Sequence, residues 1–362
     1  MGSQSADSFR VLLWCGQHKA GRGGMETAFE RVAAGLSVRG HHVSVALLQH
    51  AVDRRWEDRL PHLHVGGYGA RREMPAAILW FRGVLGAERP DVVIATDPIA
   101  VLLARAALAL AGTHAPLMSW IHGDQRPVRH LWAFGLCDDH MTVSEGLAVF
   151  MRRRWGRATA VYNPVRLDVR PCTRPGPGEP AQFLCLGRLA PEKRIDRILR
   201  ALQKVSGGWR LEIVGDGEER RELESMADRL GLEGRITWHG WMADPWSAVS
   251  QASALLLTSD TEGFPMVLVE AVARGIPVIA MDCDYGPRDI VCDDNGWLLG
   301  PGDVDALART LDGVVRGVLA LPPVDGVRAT AGAFEVAEVV KRMEECIRGA
   351  RARRGYGAQG PD

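Results

Sequence analysis

Short apolar runs of strand length alternate with segments of helix length along the whole chain, and this alternation constrains the fold most strongly. Residues 9–15 and 91–95 in the first half, like residues 182–186 and 254–257 in the second, have the composition of strands buried on both faces. Strands that alternate with helices imply right-handed crossovers and a parallel sheet that helices cover on both sides. The sequence therefore predicts an α/β fold built of doubly wound, Rossmann-like parallel sheets.

The same plan occurs twice, on either side of a segment rich in proline and glycine at residues 171–180. A chain of 362 residues is longer than one ordinary core supports, so we expect two domains. Doubly wound domains bind ligands at the carboxyl ends of their strands, which makes a cleft between two facing domains the expected site. The expected divisions are an N-terminal domain over 1–168, a linker over 169–180, a C-terminal domain over 181–332, a helix over 333–354 that packs back toward the N-terminal domain, and a disordered tail over 355–362.

The composition argues against several classes of protein. Lysine plus arginine and aspartate plus glutamate both number 44, and a net charge of zero argues against binding of nucleic acid through a basic field. The chain has no signal-like apolar core at its start and no run of about 20 apolar residues, so we expect a cytoplasmic protein without a membrane span. The seven cysteines are dispersed without a CxxC pair, so we expect reduced thiols and no zinc site.

The segment TSDTEGFPMVLVEA, residues 258–271, is the sharpest local signal. It follows an apolar strand and enters a helix, and proline is favoured at a helix's first position, so Glu262 falls in the turn before Pro265. The unpaired amides and the positive end of such a helix suit a phosphate or sugar hydroxyls. Glu262 is then a candidate catalytic residue and Glu270 a candidate donor-binding residue, unless the first only caps the helix and the second is solvated. The same turn and helix start supply further donor-binding candidates: Gly263, Phe264, Pro265, Met266 and Val267.

A second segment, LGRLAPEKR at residues 186–194, also lies between a strand and a helix. Gly187 lets a ligand approach the backbone closely, and Arg188 and Lys193 supply two cations. Two cations can neutralise the growing charge of a diphosphate leaving group without a metal ion, so both are candidate catalytic residues. The alternative is ordinary surface charge near a helix end. The acidic DxD spacing of residues 282–284 lies beyond a later strand and not where a metal-dependent transferase would hold its ion, so we expect no metal ion and no cofactor.

The segment AGRGGMET, residues 20–27, follows the first strand. A dinucleotide-binding GxGxxG turn would need glycine at the place of Glu26, so the segment does not fit NAD. Gly23 and Gly24 still allow a phosphate or sugar to approach the backbone, and they are donor-binding candidates. A simple tight turn is the alternative.

The segment SWIHGD, residues 119–124, ends another strand of the first half. His122 is a candidate catalytic residue, either as a hydrogen-bonding partner of the donor sugar or as a group that orients the acceptor, although a lone histidine is more often structural. Asp124 is an acceptor-side candidate, either as a base or as a helix cap, and Glu26 is a second one.

Three weaker signals remain. Asp216 lies in a VGDG turn that suits a ribose or base contact, while Gly240 and Trp241 end a strand and suit a base pocket, with packing as the alternative for the tryptophan. The segment RRRWGR, residues 152–157, combines four arginines with a tryptophan. It is typical of a solvated helix end or of an interfacial membrane contact.

Taken together, these motifs resemble glycosyltransferase family 4, whose members have the GT-B architecture of two Rossmann-like domains facing across a cleft. The resemblance covers residues 9–351 and implies transfer of a sugar with retention of configuration, with the acceptor on the first domain and a nucleotide sugar on the second. It implies three roles: diphosphate binding by Arg188 and Lys193, contact with the sugar by Glu262 and His122, and ribose binding by Glu270.

A narrower resemblance, to bacterial lipopolysaccharide-core 1,6-galactosyltransferases, rests on GGMET at residues 23–27, YNPV at 162–165, WHGW at 238–241 and the segment 282–289. It implies a UDP-hexose donor, galactose or glucose, and a glycan or glycolipid acceptor at the inner face of the cytoplasmic membrane, with peripheral membrane contact. A small soluble acceptor, a UDP-sugar epimerase and a non-catalytic module that binds nucleotide sugars are the alternatives. Arg194 replaces the glycine that many family members carry after the lysine.

Overall fold

The computed structural model describes residues 8–16, 23–69, 71–124, 126 and 128–355. Its contacts divide the chain into two compact units. The first unit is Met1–Pro164 together with Val336–Asp362, and the second is Val165–Glu335. The tail expected over 355–362 lies, beyond Gly355, outside the described residues.

The first unit contains a seven-stranded parallel sheet in the order β3-β2-β1-β4-β5-β6-β7. The strand order reverses direction at β1, which pairs with β2 on one side and β4 on the other. Loops after the strands on either side of such a reversal form the usual ligand site of the fold. The elements are β1 (Arg10–Cys15), α1 (Gly24–Val38), β2 (His42–Leu47), β3 (Leu63–Val65), α2 (Met74–Glu88), β4 (Val92–Ala95), α3 (Pro98–Ala111), β5 (Leu117–Ile121), β6 (Asp139–Thr142), α4 (Glu145–Trp155) and β7 (Thr159–Ala160).

Asp97 fixes the turn between β4 and α3. Its carboxylate accepts from Ala100 N at 3.0 Å and caps the helix, and it also accepts from Gly16 N at 2.8 Å after β1. Trp14 of β1 is buried and donates its indole N–H to Ala100 O. Gly112 ends α3 in the left-handed conformation, where glycine carries no steric penalty.

The second unit contains a six-stranded parallel sheet in the order β10-β9-β8-β11-β12-β13, with its reversal at β8. The prediction of an α/β fold with two doubly wound parallel sheets is confirmed. The elements are β8 (Ala181–Leu186), α5 (Ile195–Leu202), β9 (Trp209–Val214), α6 (Arg220–Arg229), β10 (Ile236–Gly240), β11 (Ala254–Leu257), α7 (Met266–Ala273), β12 (Val278–Met281), α8 (Pro287–Ile290), β13 (Gly296–Leu299), α9 (Val304–Val315) and α10 (Val324–Ala329).

The segment expected as a linker, residues 169–180, belongs to the second unit. Cys172 N donates to Arg274 O at 2.8 Å, and Ala252 N donates to Thr173 O at 2.9 Å. These backbone hydrogen bonds hold the segment against that unit, and the division between the units falls at residue 165 instead.

The last helix, α11 (Val336–Arg353), belongs to the first unit and packs on α1. A Cβ on Gly35 of α1 would lie 2.8 Å from side-chain carbons of Val336 and Val340, so glycine allows the two helices to approach closely. Glu344 of α11 is buried and pairs with Arg39 and His41 at the end of α1. Within the described ranges, none of the helices combines the length and apolar composition that a bilayer crossing requires.

Candidate active site

The loops that follow β8 and β11 meet in the second unit because these parallel strands are neighbours at the sheet's reversal. Gly187 continues directly from β8 with φ +146°, a conformation that favours glycine. The loop after β11 runs from Thr258 to Pro265 and leads into α7. The carboxyl edge of this sheet therefore holds both segments that the sequence singled out most strongly.

Lys193 and Glu262 meet between these two loops. Lys193 Nζ donates to Glu262 Oε1 at 2.7 Å, and Ser259 Oγ donates to the same oxygen at 2.7 Å. The Glu262 side chain is only 9% exposed, whereas Lys193 is 27% exposed. The partly exposed ammonium group of Lys193 is thus held at the strand ends by the nearly buried carboxylate of Glu262.

Arg188 has a different environment. Its guanidinium is 70% exposed and donates to Glu192 Oε1 at 2.6 Å, four residues further along the chain. The structure thus brings Lys193 and Glu262 into contact, while Arg188 pairs within its own loop.

Arg194 joins the two loops through a charged network. Its guanidinium donates to Asp196 and Asp260 at 3.0 Å, and Arg197 contacts the other oxygen of Asp260 at 2.6 Å. Desolvation raises the pKa of Asp260, but hydrogen bonds from Arg194 and Arg197 outweigh it and hold the pKa below its ordinary value. Thr258 Oγ1 also donates to Arg194 O at 2.9 Å. Both loops are therefore tied together beside the Lys193–Glu262 pair.

Arg194 has φ +50°, in the left-handed region that favours glycine. Arg194→Ala keeps this strained backbone and loses the half-exposed ion pairs, so we expect the free energy of unfolding to fall by about 1 kcal/mol. Arg194→Gly loses the same ion pairs but removes a steric cost of about 1 kcal/mol, so it should be about as stable as the natural chain. Urea denaturation of both variants measures the difference. A glycine variant no more stable than the alanine variant would contradict the strain argument.

The helix after the Glu262 turn begins one residue later than predicted. Pro265 is the residue that precedes α7, with φ −74° and ψ 90°, and Met266 is the first helical residue. Phe264 is buried and packs on Phe334, with ring centroids 5.5 Å apart. Gly263, Met266 and Val267 are half-buried at the same turn.

Glu270 lies on α7, and its carboxylate has a neighbour that the sequence analysis did not assign. Trp246 donates its indole N–H to Glu270 Oε2 at 3.0 Å. The Arg274 guanidinium lies 4.1 Å over the Trp246 ring and donates to Glu270 O at 2.9 Å. Glu270 is therefore half-buried and oriented, not merely solvated.

Gly215 and Gly217 explain why the loop after β9 can pack against the loop after β8. A Cβ on Gly215 would lie 1.8 Å from Gly187 O, and one on Gly217 would lie 2.2 Å from Leu189 O. Asp216 between them is exposed, and its carboxylate lies 3.9 Å from Arg220.

Gly240 and Trp241 follow at the end of β10. Gly240 has φ +72° and accepts from Gly215 N at 2.8 Å, so this glycine has a structural role. Trp241 is 56% exposed.

In the first unit, Gly23 and Glu26 cap the start of α1. Glu26 Oε2 accepts from Gly23 N at 3.1 Å, and Glu26 is 6% exposed. Trp56 donates its indole N–H to Glu26 O at 3.0 Å. These contacts favour a structural role for Glu26 over an acceptor-side role. Gly24 begins the helix, and residues 17–22 of the same segment lie outside the described residues.

His122 and Asp124 follow β5. The imidazole of His122 packs edge-on against Trp120, with centroids 4.2 Å apart, and is half-buried. Asp124 pairs with Arg126 at 2.7 Å. Desolvation raises the pKa of Asp124, but the hydrogen bonds from Arg126 outweigh it and keep the pKa below its ordinary value. A carboxylate with a lowered pKa is a poorer proton acceptor, which favours a role in the loop over that of a base.

Comparison with known proteins decides the family. Residues 22–169 match the family model "Glycosyltransferase Family 4", and residues 174–317 match "Glycosyl transferases group 1". The lipopolysaccharide 1,6-galactosyltransferase of Escherichia coli (strain K12) is 30% identical, over 95% of this chain and 99% of its own. The chain belongs to glycosyltransferase family 4.

Other relatives agree with this assignment. The corresponding enzyme of Salmonella typhimurium is 37% identical over 63% of this transferase and 66% of its own length. The solved structure of the lipopolysaccharide outer core galactosyltransferase WaaB, in its apo form, matches 94% of this chain and 99% of its own with a TM-score of 0.85 and 29% identity. Anabaena HepE in complex with UDP has the same fold, with a TM-score of 0.79, 19% identity and coverage of 94% and 99%. The predicted GT-B fold and the resemblance to family 4 are confirmed.

Two residues of this transferase that contact candidate carboxylates, Ser259 and Trp246, were not predicted from its sequence. Ser259 lies three positions before Glu262, and serine hydroxyls often form hydrogen bonds with groups a few residues away. This spacing was a local signal for the contact. Trp246 is distant from Glu270 along the chain, and no local pattern joins them. Among the described residues, no group of three histidine, cysteine or acidic side chains is arranged to hold a metal ion.

Proposed function

We propose that this transferase moves a hexose, galactose or glucose, from a UDP-sugar to a glycan or glycolipid acceptor of the lipopolysaccharide core. The observation that carries the donor assignment is the Lys193–Glu262 pair, which places a cation at the carboxyl edge of the second sheet. The acceptor assignment is supported by the relative from Escherichia coli, which is named for lipopolysaccharide and matches almost the whole chain.

In the proposed reaction the acceptor hydroxyl attacks the sugar from the face that the diphosphate leaves, so the configuration is retained. Lys193, Arg188 and the amides at the start of α7 stabilise the charge that grows on the departing diphosphate. Glu262 holds Lys193 in position and lies beside the transferred sugar, and His122 contacts that sugar. Glu270 binds the ribose.

The departing phosphate takes the proton of the acceptor hydroxyl in this proposal, so no side-chain base is required. The pairing of Asp124 with Arg126 supports this, since that carboxylate is occupied by a guanidinium.

The proposed reaction also needs no metal ion, because side-chain cations neutralise the charge of the diphosphate. Activity should therefore persist in excess EDTA, and restoration of a lost activity by Mg²⁺ or Mn²⁺ would contradict the metal-free proposal.

A transfer screen tests the donor and the acceptor together. Purified transferase is incubated with UDP-, GDP- and ADP-sugars, with and without truncated lipopolysaccharide core, and the released nucleotide is measured. We expect release of UDP from UDP-galactose or UDP-glucose that increases with acceptor. Conversion of UDP-galactose to UDP-glucose without acceptor, or preference for a GDP-sugar, would overturn the proposal.

The contact between Trp246 and Glu270 leads to a prediction about the nucleotide. Trp246→Phe keeps an aromatic ring but removes the hydrogen bond to the carboxylate, and a bond to a charged group contributes about 1.5–3 kcal/mol. We expect KM for the UDP-sugar to rise about tenfold with little change in kcat, because the ribose is bound in both the ground state and the transition state.

A donor without ribose hydroxyls is the control for this variant. If Trp246 acts through Glu270 on the ribose, the difference between Trp246→Phe and the natural chain should vanish with 2′- or 3′-deoxy-UDP-sugar. An equal loss with natural and deoxy donors would show that Trp246 acts elsewhere.

A further inference from the structure

A second surface of the first unit lies away from the strand ends just described. The chain passes from the carboxyl end of β5, at Ile121, to the amino end of β6, at Asp139. Helix α4 then runs back and ends at Trp155, beside the amino end of β7. The segments before β6 and after α4 therefore meet at the amino edge of the sheet, opposite the edge that carries His122.

Two large apolar side chains are exposed where these segments meet. Trp132 is 61% exposed and Leu136 is 36% exposed, both in the 3-10 helix Leu131–Leu136. Residues three apart are eclipsed in such a helix, so Trp132 lies above Gly135. A Cβ on Gly135 would lie 2.9 Å from the indole nitrogen of Trp155, which places Trp132 one turn from the second tryptophan.

Three exposed arginines lie beside Trp155 along the chain. Arg153, Arg154 and Arg157 are exposed, and the Arg154 guanidinium lies 5.6 Å from the centroid of the Trp155 ring. In the part of the chain that the structure describes, no carboxylate lies within ion-pair distance of these three arginines. We call the surface formed by Trp132, Leu136, Arg153, Arg154, Trp155 and Arg157 the amino-edge face.

The carboxylates beside this face are already neutralised by other arginines. Asp138 pairs with Arg105 at 3.4 Å and with Arg354, and Asp139 pairs with Arg353 of α11. The charge of Arg153, Arg154 and Arg157 is therefore uncompensated at this edge.

A cavity of about 320 Å³ opens in the same face, lined by Cys137, Asp138, His140, Trp155, Gly156 and Arg157. His140 is buried and shares a 2.7 Å hydrogen bond with Ser119. Burial lowers the pKa of His140 to about 4, so its ring is neutral at physiological pH. The cavity thus offers an aromatic wall, the Arg157 guanidinium and the Asp138 carboxylate, whose charge Arg105 and Arg354 neutralise. The free guanidinium and the aromatic wall suit a phosphodiester with a small apolar portion. The volume of the cavity lies at the lower end of the range of small-molecule sites, which suits a compact polar group such as a lipid headgroup.

We propose that the amino-edge face binds the surface of a membrane rich in anionic phospholipids, with one headgroup phosphate at Arg157. Interfacial tryptophans insert at the headgroup level, and uncompensated arginines are attracted to anionic lipids, so the two features together match a membrane and not a soluble protein partner. The assignment rests on the proposed function in one respect, because membrane binding would bring the transferase to a glycolipid acceptor.

Vesicle co-flotation tests the proposal without any transfer assay. The full chain should float with vesicles of phosphatidylcholine and phosphatidylglycerol and stay in solution with phosphatidylcholine alone. Each arginine near an anionic surface strengthens binding by about fivefold, so Arg153→Gln/Arg154→Gln/Arg157→Gln should bind on the order of 100-fold more weakly. Trp132→Ala should weaken binding several-fold, and this loss should persist at high salt.

The matched control removes the same charge elsewhere. Arg200→Gln/Arg229→Gln/Arg316→Gln changes three exposed arginines of the second unit and should bind vesicles like the natural chain. An equal loss in both triple variants, or displacement from vesicles by millimolar inorganic phosphate at constant ionic strength, would overturn the assignment. Transfer to a short water-soluble acceptor should be unchanged in the first triple variant, so failure of the membrane assignment and failure of the proposed function are seen in different assays.

Discussion

Lys193→Ala is expected to lower kcat/KM for the UDP-sugar by on the order of 100-fold, a loss of about 3 kcal/mol in transition-state stabilisation. Lys193 is the cation that the structure holds at the carboxyl edge, 2.7 Å from a carboxylate that is 9% exposed. Its positive charge stabilises the transition state more than the ground state, because negative charge develops on the leaving diphosphate. The effect should therefore appear in kcat at saturating donor and not only in KM.

Lys204→Ala is the matched control for this experiment. Lys204 also forms a 2.6 Å ion pair, with Asp305, but both side chains are more than half exposed. Surface pairs of this kind contribute about 0–1 kcal/mol to stability, so activity and stability should stay close to those of the natural chain. Normal transfer by Lys193→Ala at saturating donor would end the diphosphate assignment.

The double variant Lys193→Ala/Glu262→Gln separates two explanations of such a loss. Removal of Lys193 alone leaves the nearly buried Glu262 carboxylate without its cation, which could disturb the turn through electrostatics alone. The reference is the single variant Glu262→Gln, because Glu262 is itself a candidate catalytic residue. If the unpaired carboxylate were the whole effect, Lys193→Ala would cost no further activity once Glu262 is neutral. We expect the double variant to be clearly less active than Glu262→Gln alone, because the diphosphate still lacks its cation.

The sequence predicted the fold well because both sheets depend on local, periodic signals. Residues 254–257, for example, are apolar at every position and buried on both faces of the sheet. Continuous apolar strands of this kind are typical of parallel sheets that helices cover on both sides. The sequence predicted that Gly187 and Gly215 lie in turns after strands. It did not predict that the two turns pack against each other. A Cβ at position 215 would overlap Gly187 O, and this contact joins two loops that are distant along the chain.

The candidate site was predictable as a set of segments and not as a set of contacts. Glu262 and Lys193 stood out because each follows a strand, and neighbouring parallel strands bring such segments together. The partners of individual side chains depend on rotamers that the sequence pattern does not encode. Arg188 was expected to act beside Lys193, yet its guanidinium pairs with Glu192 in the structure. The contact between Trp246 and Glu270 likewise depends on the path of the chain after β10.

Glu344→Ala should lower the free energy of unfolding by about 3–5 kcal/mol, the usual cost of breaking a buried ion pair by removing one partner. The Glu344 side chain is 2% exposed and lies on α11, where it receives hydrogen bonds from Arg39 at 3.0 Å and from His41 at 2.8 Å. Phe9 N donates to His41 Nδ1, so the neutral ring carries its proton on Nε2 and donates it to Glu344. The interaction therefore does not need a second proton on the ring.

Glu345→Ala is the control on the same helix. Its side chain is exposed one position further along α11, so its removal should change the free energy of unfolding by less than about 0.5 kcal/mol. Glu344→Gln should fall between the two alanine variants, because the amide oxygen still accepts from Arg39 or His41. An unfolding free energy of Glu344→Ala equal to that of Glu345→Ala would show that α11 is held by apolar packing alone.

The stability contributed by Glu344 should depend on pH. Desolvation raises the pKa of Glu344, but hydrogen bonds from Arg39 and His41 outweigh it and lower the pKa from 4.5 to about 2. A carboxylate with a lowered folded-state pKa stabilises the fold above its unfolded pKa, and this contribution is lost as the pH falls through the folded value. The stability difference between the natural chain and Glu344→Ala should be constant above about pH 5 and should shrink by about 3 kcal/mol by pH 2. A difference that instead grows as the pH falls from 5 to 2 would mean that protonated Glu344, and not its ionised form, stabilises the contact between α11 and α1.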